Sequence, residues 1–288
     1  MKNYKKYLPY ILIFSIFAIC IFVWYFTFFK ETNTKYLKVI FLDVGQGDSI
    51  YIEAPNGKQV LIDGGPDATL LSRLSEVMPF ADRSIDMLIA THPDTDHIGG
   101  FPLLIDNYKI KSIIENGIKA DTQIFDGLEE RVLKNKITKI VARKGMHIIL
   151  DEKRNIYLDI LFPDRDVSSF ESNDASLVGK LVYGESSFMF VGDSSLYTEN
   201  LIEWNETTET LDSDVLLIGH HGSRTSSSLL WLEKVSPEIA IISAGKNNRY
   251  GHPHKELLDR LSSLEIPYLT TYEKGNIIFK SDGLNLSH

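Results

Sequence analysis

A short polar run after an apolar segment constrains this chain most. Residues 85–90 are mostly apolar and typical of a buried strand, and His92, Asp94, Asp96 and His97 follow directly. A turn at a strand end can aim alternate side chains inward, so His92 and Asp94 can share one ion. Asp96 and His97 are adjacent and suit a second ion better. A polar loop is the alternative, but four candidate ligands within six residues favour a metal site, with zinc or manganese as the expected ion.

More candidate ligands follow later predicted strands. Residues 187–191 are predicted to lead into Asp193, and residues 215–218 into His220 and His221. Two adjacent histidines cannot easily bind one ion from a regular backbone. We therefore expect His221, which stands just before a Gly-Ser pair, to bind the second ion. His220 is then predicted to hydrogen-bond the substrate or transition state, although the reverse assignment remains open.

Positively charged side chains and histidines cluster in the loop at 245–255. Arg249 and His252 belong to this loop, and Arg224 comes from the preceding ligand loop. Such donors recognise phosphoester oxygens, so we predict that His252 lies in the active site and that both arginines bind substrate. The alternative is a solvated loop that precedes a helix at 254–263.

The glycine-rich loop at 45–48 is predicted to be a structural bend whose rim faces the substrate. Gln46 and Asp48 are the predicted substrate-binding residues of this rim. A phosphate-binding P-loop is excluded, because the loop has neither the lysine nor the helix spacing of that motif. Residues 38–42, 50–52 and 60–62 are predicted strands, and the Asn-Gly turn between the last two is typical of a hairpin.

The His-x-Asp-x-Asp-His pattern of residues 92–97 resembles the His-x-His-x-Asp-His signature of the metallo-β-lactamase superfamily. Asp94 replaces the middle histidine, a variant that is similar to the hydrolase domain of ComEC-type competence proteins. Further similar segments follow in the family's order between residues 37 and 280: 42–49, 61–65, 173–177, 192–193, 219–223 and 248–253.

This resemblance implies an α/β domain with the four-layer αββα fold and metals at one sheet edge. It implies that Asp193 bridges two ions and that Asp63 lies close behind the ligands. A histidine of the family pattern falls here on Asn173 or Asp174, which are candidate ligands or residues that orient ligands. With fewer imidazoles and more oxygen ligands, the preference shifts modestly from zinc towards manganese or magnesium.

The expected chemistry is hydrolysis by a hydroxide that bridges two divalent ions, with Asp96, His220 and His252 as catalytic residues. The resemblance implies a phosphodiesterase, with single-stranded DNA as the expected substrate. An esterase for cell-wall phosphodiesters, such as phosphocholine or teichoic acid, is one alternative. A catalytically silent, anchored binding domain is the other.

The N-terminal sequence predicts a membrane anchor. Residues 8–29 carry no charge and are long enough to cross a bilayer, and bulky aromatic residues occupy the end where a signal peptide needs small ones. We expect residues 1–7 in the cytoplasm, residues 30–36 as a linker, and a hydrolase domain at 37–288 outside the cell.

Composition limits the partners and the stabilising chemistry. The formal net charge is -9, which argues against a broad electrostatic grip on duplex nucleic acid. The single cysteine, Cys20, excludes an intrachain disulfide and a zinc site built on cysteines.

Overall fold

A computed structural model describes residues 4–28 and 35–288. Helix α1 (Tyr4–Phe28) contains a stretch, Tyr7–Trp24, that is long and apolar enough to cross a membrane, with a mean hydropathy of 2.3. It is a candidate transmembrane span. Residues 1–3, the last residue of the predicted anchor and most of the predicted linker (residues 29–34) lie outside the described residues.

The remaining elements alternate between strands and helices. The strands are β1 (Leu37–Phe41), β2 (Ile50–Glu53), β3 (Gln59–Ile62), β4 (Ser84–Ala90), β5 (Lys109–Glu115), β6 (Thr138–Val141), β7 (His147–Asp151), β8 (Ile156–Phe162), β9 (Val178–Tyr183), β10 (Ser186–Phe190), β11 (Val215–Leu217), β12 (Ile239–Ile242), β13 (Tyr268–Thr270), β14 (Ile277–Ser281) and β15 (Leu286–Ser287). The helices are α2 (Thr69–Val77), α3 (Thr95–Ile98), α4 (Phe101–Asn107), α5 (Gln123–Lys134), α6 (Leu196–Asn205), α7 (Thr208–Leu211), α8 (Leu229–Val235), α9 (Lys255–Ser263) and α10 (Thr271–Lys274).

Two sheets form the centre of the domain that the structure describes. Sheet A has the strand order β15, β14, β1, β2, β3, β4, β5, β6, and sheet B has the order β13, β12, β11, β10, β9, β8, β7. The hairpin predicted around the Asn-Gly turn is confirmed, since Ile50 pairs with Ile62 and Ile52 with Val60 in antiparallel register.

Alternation along the strands explains the layering. In and just after β1, Val39 and Phe41 face the apolar core between the sheets, whereas Ile40 and Leu42 face a second core beneath α2, α4 and α5. Leu216 of β11 faces a third core, against α6, α8 and α9. Burial on both faces of each sheet produces the order helix, sheet, sheet, helix, as the resemblance implied.

The parallel strands bring their carboxyl ends to one edge. β3 and β4 run parallel in sheet A, and β10, β11 and β12 run parallel in sheet B. The edges meet where the Leu177 amide donates to the Thr91 carbonyl at 2.9 Å. A turn at Gly99 and Gly100 separates α3 from α4. A Cβ on Gly99 would lie 2.0 Å from the Pro66 carbonyl oxygen, so this close contact requires glycine.

Candidate metal centre

Loops after four strand ends deliver the candidate ligands to one point. His92 follows β4, Asp193 follows β10, and His220 and His221 follow β11. Asp63 follows β3 and reaches the same edge. Their side chains come together because these strands are parallel to their neighbours within each sheet, so their carboxyl ends coincide.

Asp193 stands between two groups of imidazoles. Its Oδ1 lies 3.1 Å from Nε2 of His97 and 3.5 Å from Nε2 of His221. Its Oδ2 lies 3.6 Å from Nε2 of His220 and 3.9 Å from Nε2 of His92. The two oxygens of one buried carboxylate therefore face two separate histidine pairs.

The two aspartates of the motif, Asp94 and Asp96, also face different histidines. Asp96 Oδ2 lies 3.4 Å from His221 Nε2, and Asp94 Oδ2 lies 3.8 Å from His92 Nε2. We call Asp96, His97, His221 and Oδ1 of Asp193 the Oδ1 half. The Oδ2 half consists of His92, Asp94, His220 and Oδ2 of Asp193.

An unusual backbone allows adjacent histidines to face different oxygens. His220 has φ 50° and ψ 46°, and His221 has φ 55° and ψ 21°, so both are left-handed. Each left-handed residue other than glycine costs roughly 1–2 kcal/mol. The turn is closed by the Ser223 amide, which donates to the His220 carbonyl at 2.8 Å. This backbone directs the two side chains apart. It agrees with the expectation that adjacent histidines cannot easily bind one ion.

Carboxylates stand behind both imidazoles of the Oδ1 half. His97 Nδ1 lies 2.8 Å from Asp63 Oδ2, and the Thr91 backbone and hydroxyl both donate to Asp63. His221 Nδ1 lies 3.2 Å from Asp48 Oδ1 and 3.1 Å from the Ser243 carbonyl. Acceptors at Nδ1 fix the tautomer that leaves Nε2 free to face the centre.

The charges of the centre are strongly coupled. Although burial opposes it, Asp193 raises the pKa of both His97 and His221 well above the ordinary value. These imidazoles in turn outweigh burial and hold the pKa of Asp193 well below its usual range. Burial and the neighbouring His97 lower the pKa of His92 to about 4. The shared carboxylate and these two imidazoles therefore stabilise one another's charged forms.

The donor set fits divalent metal. Buried polar atoms that face the centre lack a hydrogen-bond partner: Oδ1 of Asp193, and Nε2 of His92, His97 and His221. Ligand atoms from Asp48, His97, Asp193 and His221 lie within 4.8 Å of one another. Unsatisfied buried acceptors are costly, and a cation that they share removes that cost.

Other predicted residues lie at different distances from the centre. Asn173 Nδ2 is 3.4 Å from His220 Nδ1, so Asn173 borders the Oδ2 half. Asp174 instead accepts a hydrogen bond from the Ser195 hydroxyl, at the start of α6. The exposed Arg224 side chain has its ion-pair partner in Glu256, at 3.9 Å.

A cleft of about 440 Å³ opens beside the Oδ1 half. Gln46 and Arg249, both predicted to bind substrate, line it together with Asp96. The His252 ring lies 5.6 Å from the His220 ring, and its Nδ1 is 3.4 Å from Gln46 Nε2. His252 and Gln46 therefore form part of the wall between cleft and centre.

The placement of Asp48 on a substrate-facing rim is wrong. Its side chain is fully buried beneath His221, because Gly47 packs against α3. A Cβ on Gly47 would lie 2.2 Å from the Asp96 carbonyl oxygen, so only glycine permits that contact. Asp48 and Asp63 both lie next to glycines in loops of sheet A. That shared pattern was the available sequence signal that Asp48, like Asp63, could stand behind an imidazole.

Comparison with known proteins agrees with this geometry. Residues 42–246 match the family model of the metallo-beta-lactamase superfamily. The chain belongs to the metallo-beta-lactamase superfamily. The resemblance implied by the motifs is thereby confirmed, and a buried Asp and His cluster of this kind indicates divalent metal binding.

The chain also resembles curated proteins, among them the two that follow. It is 32% identical to ComE operon protein 3 of Bacillus subtilis (strain 168), over 91% of this chain and 35% of that protein. It is 29% identical to Recombination protein 2 of Haemophilus influenzae, over 86% of this chain and 29% of that protein. The chain thus spans about a third of the length of these curated relatives.

Solved structures agree on the superfamily fold. The metallo-beta-lactamase fold protein YhfI from Bacillus subtilis superposes with a TM-score of 0.57 at 12% identity, covering 85% of this chain and all (100%) of that one. Igni18, a metallo hydrolase from Ignicoccus hospitalis, superposes with a TM-score of 0.55 at 14% identity, covering 85% and 98%. At these identities the likeness shows the two-sheet fold alone. The substrate must be argued from the residues of the site.

Proposed function

We propose that this chain is a metal-dependent phosphodiesterase that acts on nucleic acid strands. In this proposal α1 anchors it in the membrane, and residues 37–288 form a hydrolase domain outside the cell. The observation that carries the proposal is the position of Asp193, whose two oxygens face separate histidine pairs. A shared carboxylate between two ligand groups is how two-ion hydrolases hold their cations, about 3.5–4 Å apart.

Each half supplies a different donor set. Asp96, His97 and His221 would hold one ion together with Asp193 Oδ1. His92 and Asp94 would hold the other with Asp193 Oδ2, and we propose His220 as a further ligand there because its Nε2 lies 3.6 Å from that oxygen. Manganese or zinc suits this mixture of imidazole and carboxylate, with magnesium as a third candidate.

When bound, divalent ions lower the pKa of water from about 15.7 to near 7, which supplies a nucleophile without a protein base. The chain's own residues orient the ester. Burial, together with the nearby His221 and His220, lowers the pKa of His252 to about 4, so this ring is neutral near pH 7. A neutral imidazole can donate one hydrogen bond to a phosphate oxygen, while Arg249 at the cleft contributes positive charge.

The relatives' names support nucleic acid as the substrate class. One is a recombination protein and another, from Neisseria gonorrhoeae, is called competence protein ComA. Cell-wall phosphodiesters are the rival substrate, and a silent binding domain is the third hypothesis. We favour DNA because the aromatic ring of Tyr250 lines the cleft beside the metal centre, a feature that an esterase for cell-wall phosphodiesters does not need.

The test is hydrolysis by the full-length protein in detergent with manganese. The substrates are linear single-stranded DNA, bis(p-nitrophenyl) phosphate and glycerophosphocholine. Cleavage of DNA and the small ester supports the proposal, and cleavage of glycerophosphocholine without DNA supports the wall esterase. Metal binding without any turnover supports the silent domain.

The matched variants are Asp96→Ala and Asp106→Ala. Asp96 contacts His221 in the centre, whereas Asp106 is a partly exposed aspartate that pairs with Arg131 at 2.9 Å. We expect Asp96→Ala to abolish turnover with an unchanged circular dichroism spectrum, and Asp106→Ala to retain it. Wild-type rates in Asp96→Ala would refute the site.

A further inference from the structure

The cleft beside the metal centre has an unexpected lining. It opens at Asp96, yet most of its surface is apolar, with Pro66 and Tyr250 among the lining residues. A site that recognised phosphate alone would offer donors and cations throughout. This cleft instead suits a flat, apolar part of the substrate that is attached to the phosphate.

Two planar side chains, Arg249 and Tyr250, line one wall of the cleft, and the His252 ring lies next to them. The guanidinium carbon of Arg249 lies 4.8 Å from the Tyr250 ring centroid, and this guanidinium donates to the Tyr250 hydroxyl at 2.6 Å. The rings of Tyr250 and His252 are 5.6 Å apart with 21° between their planes. Tyr250 remains 47% exposed, so the stack is accessible from the cleft.

Asn248, which also lines the cleft, holds this loop in place. Its carboxamide oxygen accepts from the backbone amides of Tyr250 at 3.1 Å and His252 at 3.0 Å. Its amide group donates to the carbonyls of Gly245 and His252. Gln46 joins the same loop to sheet A by accepting from the Gly245 amide at 3.1 Å. The planar wall is therefore organised before any ligand arrives.

We propose that Tyr250, together with Arg249, stacks an unpaired nucleobase next to the phosphate at the metal centre. This inference rests on the proposed function and narrows its substrate to strands with exposed bases. A base inside a duplex is already stacked on its neighbours and cannot reach such a wall without being extruded. Aromatic rings and arginine planes are the usual partners of single-stranded bases, and they tolerate any sequence.

The same wall disfavours the headgroups of cell-wall esters. A choline cation would seek an aromatic face by cation–π attraction, but the positive guanidinium of Arg249 beside the Tyr250 ring repels a second cation. Glycerol and ribitol phosphates carry no flat ring to stack. A nucleotide joins a flat ring to a negative phosphate, which matches both the ring and the guanidinium.

The test compares a thymidine dinucleoside phosphodiester with the same ester lacking both bases. The full-length protein in detergent with manganese is assayed as wild type, Tyr250→Leu and Tyr250→Phe. We expect wild type to prefer the ester with bases in kcat/KM by about tenfold to a hundredfold, the range for stacking one base. Tyr250→Leu should lose most of that preference and Tyr250→Phe should keep it, with unchanged manganese affinity in both.

A binding measurement separates this inference from the proposed function. Fluorescence anisotropy is recorded for a short thymidine oligomer and its abasic counterpart, each with Tyr250 intact or changed to Leu. If no phosphodiester is cleaved, the proposed function fails, yet a base preference in binding that Tyr250→Leu removes still supports stacking. Equal cleavage and binding of base-bearing and abasic strands by wild type, or a preference that Tyr250→Leu leaves intact, overturns it. Hydrolysis of glycerophosphocholine that depends on Tyr250 also overturns it.

Discussion

The two halves of the metal centre differ in how firmly their imidazoles are held. In the Oδ1 half, His97 and His221 are buried, and a carboxylate stands behind each ring. In the Oδ2 half, the His92 ring has the Thr91 hydroxyl at 3.1 Å from its Nδ1, and His220 keeps 27% of its side chain exposed. Only the Oδ1 half thus has a carboxylate behind each imidazole, whereas the Oδ2 half has a buried His92 without one and a partly exposed His220.

This difference predicts two unequal binding events. Partners that orient a ligand from behind change metal affinity by about 10- to 100-fold. The Oδ1 half should therefore fill first and hold its ion through purification, and the Oδ2 half should exchange with the medium. Hydrolysis would then depend on whether an ion occupies the weaker Oδ2 half.

The largest expected effect comes from removing the residue that both halves share. Asp193→Ala should abolish both binding events and all turnover, because each half loses one oxygen ligand and the histidines lose their common negative charge. Isothermal titration with manganese measures the loss. Retention of one full-affinity ion would show that Asp193 serves a single half.

The next largest effect should fall on the Oδ1 half alone. Asp63→Asn weakens the acceptor behind His97, so we expect the tighter manganese site to lose about 10- to 100-fold in affinity while the weaker one changes little. Asp86→Asn is the matched control, since Asp86 is a partly exposed aspartate that pairs with Lys111. Equal weakening of both sites would contradict the division into halves.

The two halves should differ in how many protons metal binding releases, and therefore in how their metal affinity depends on pH. The raised pKa values of His97 and His221 keep these rings protonated near neutrality without metal, so an ion entering the Oδ1 half must displace protons. Its affinity should therefore fall as the pH is lowered through the neutral range. His92, with a pKa lowered to about 4, is already neutral and releases none.

Calorimetric titrations with manganese in buffers of different ionisation enthalpy measure how many protons each ion releases. The first manganese ion to bind should release protons near pH 7. Binding of the second ion to His92 should release none. In the metal-free protein, the same raised pKa values contribute stability at low pH that is lost as the pH rises through them. Equal proton release in both binding events would contradict the difference in electrostatics.

The smallest expected effect is a change of metal preference in the Oδ2 half. Asn173→His places an imidazole beside His220, where the side chain of Asn173 lies 3.4 Å away. Imidazole suits zinc better than an amide oxygen does, so the weaker site should shift severalfold from manganese towards zinc. Competition between the two metals measures the shift, and an unchanged ratio would place residue 173 outside the ligand group.

Sequence patterns predicted most of the fold and the group around His92 to His97, because strand periodicity and ligand clustering are local. They did not predict the role of Asp48, since its burial beneath His221 depends on a contact between distant loops. Nor could spacing show that His220 and His221 are left-handed and face different oxygens. Asp174 looked equivalent to Asn173, but a 3-10 turn directs it towards Ser195 instead.

In the proposed function, one carboxylate, that of Asp193, would join two ions. Electron paramagnetic resonance of the full-length protein titrated with manganese tests it directly. We predict a single-ion spectrum at low occupancy that converts to an exchange-coupled pair as the second site fills, with the coupling absent in Asp193→Ala. Two uncoupled manganese signals at full occupancy, or saturation at one ion, would contradict the account.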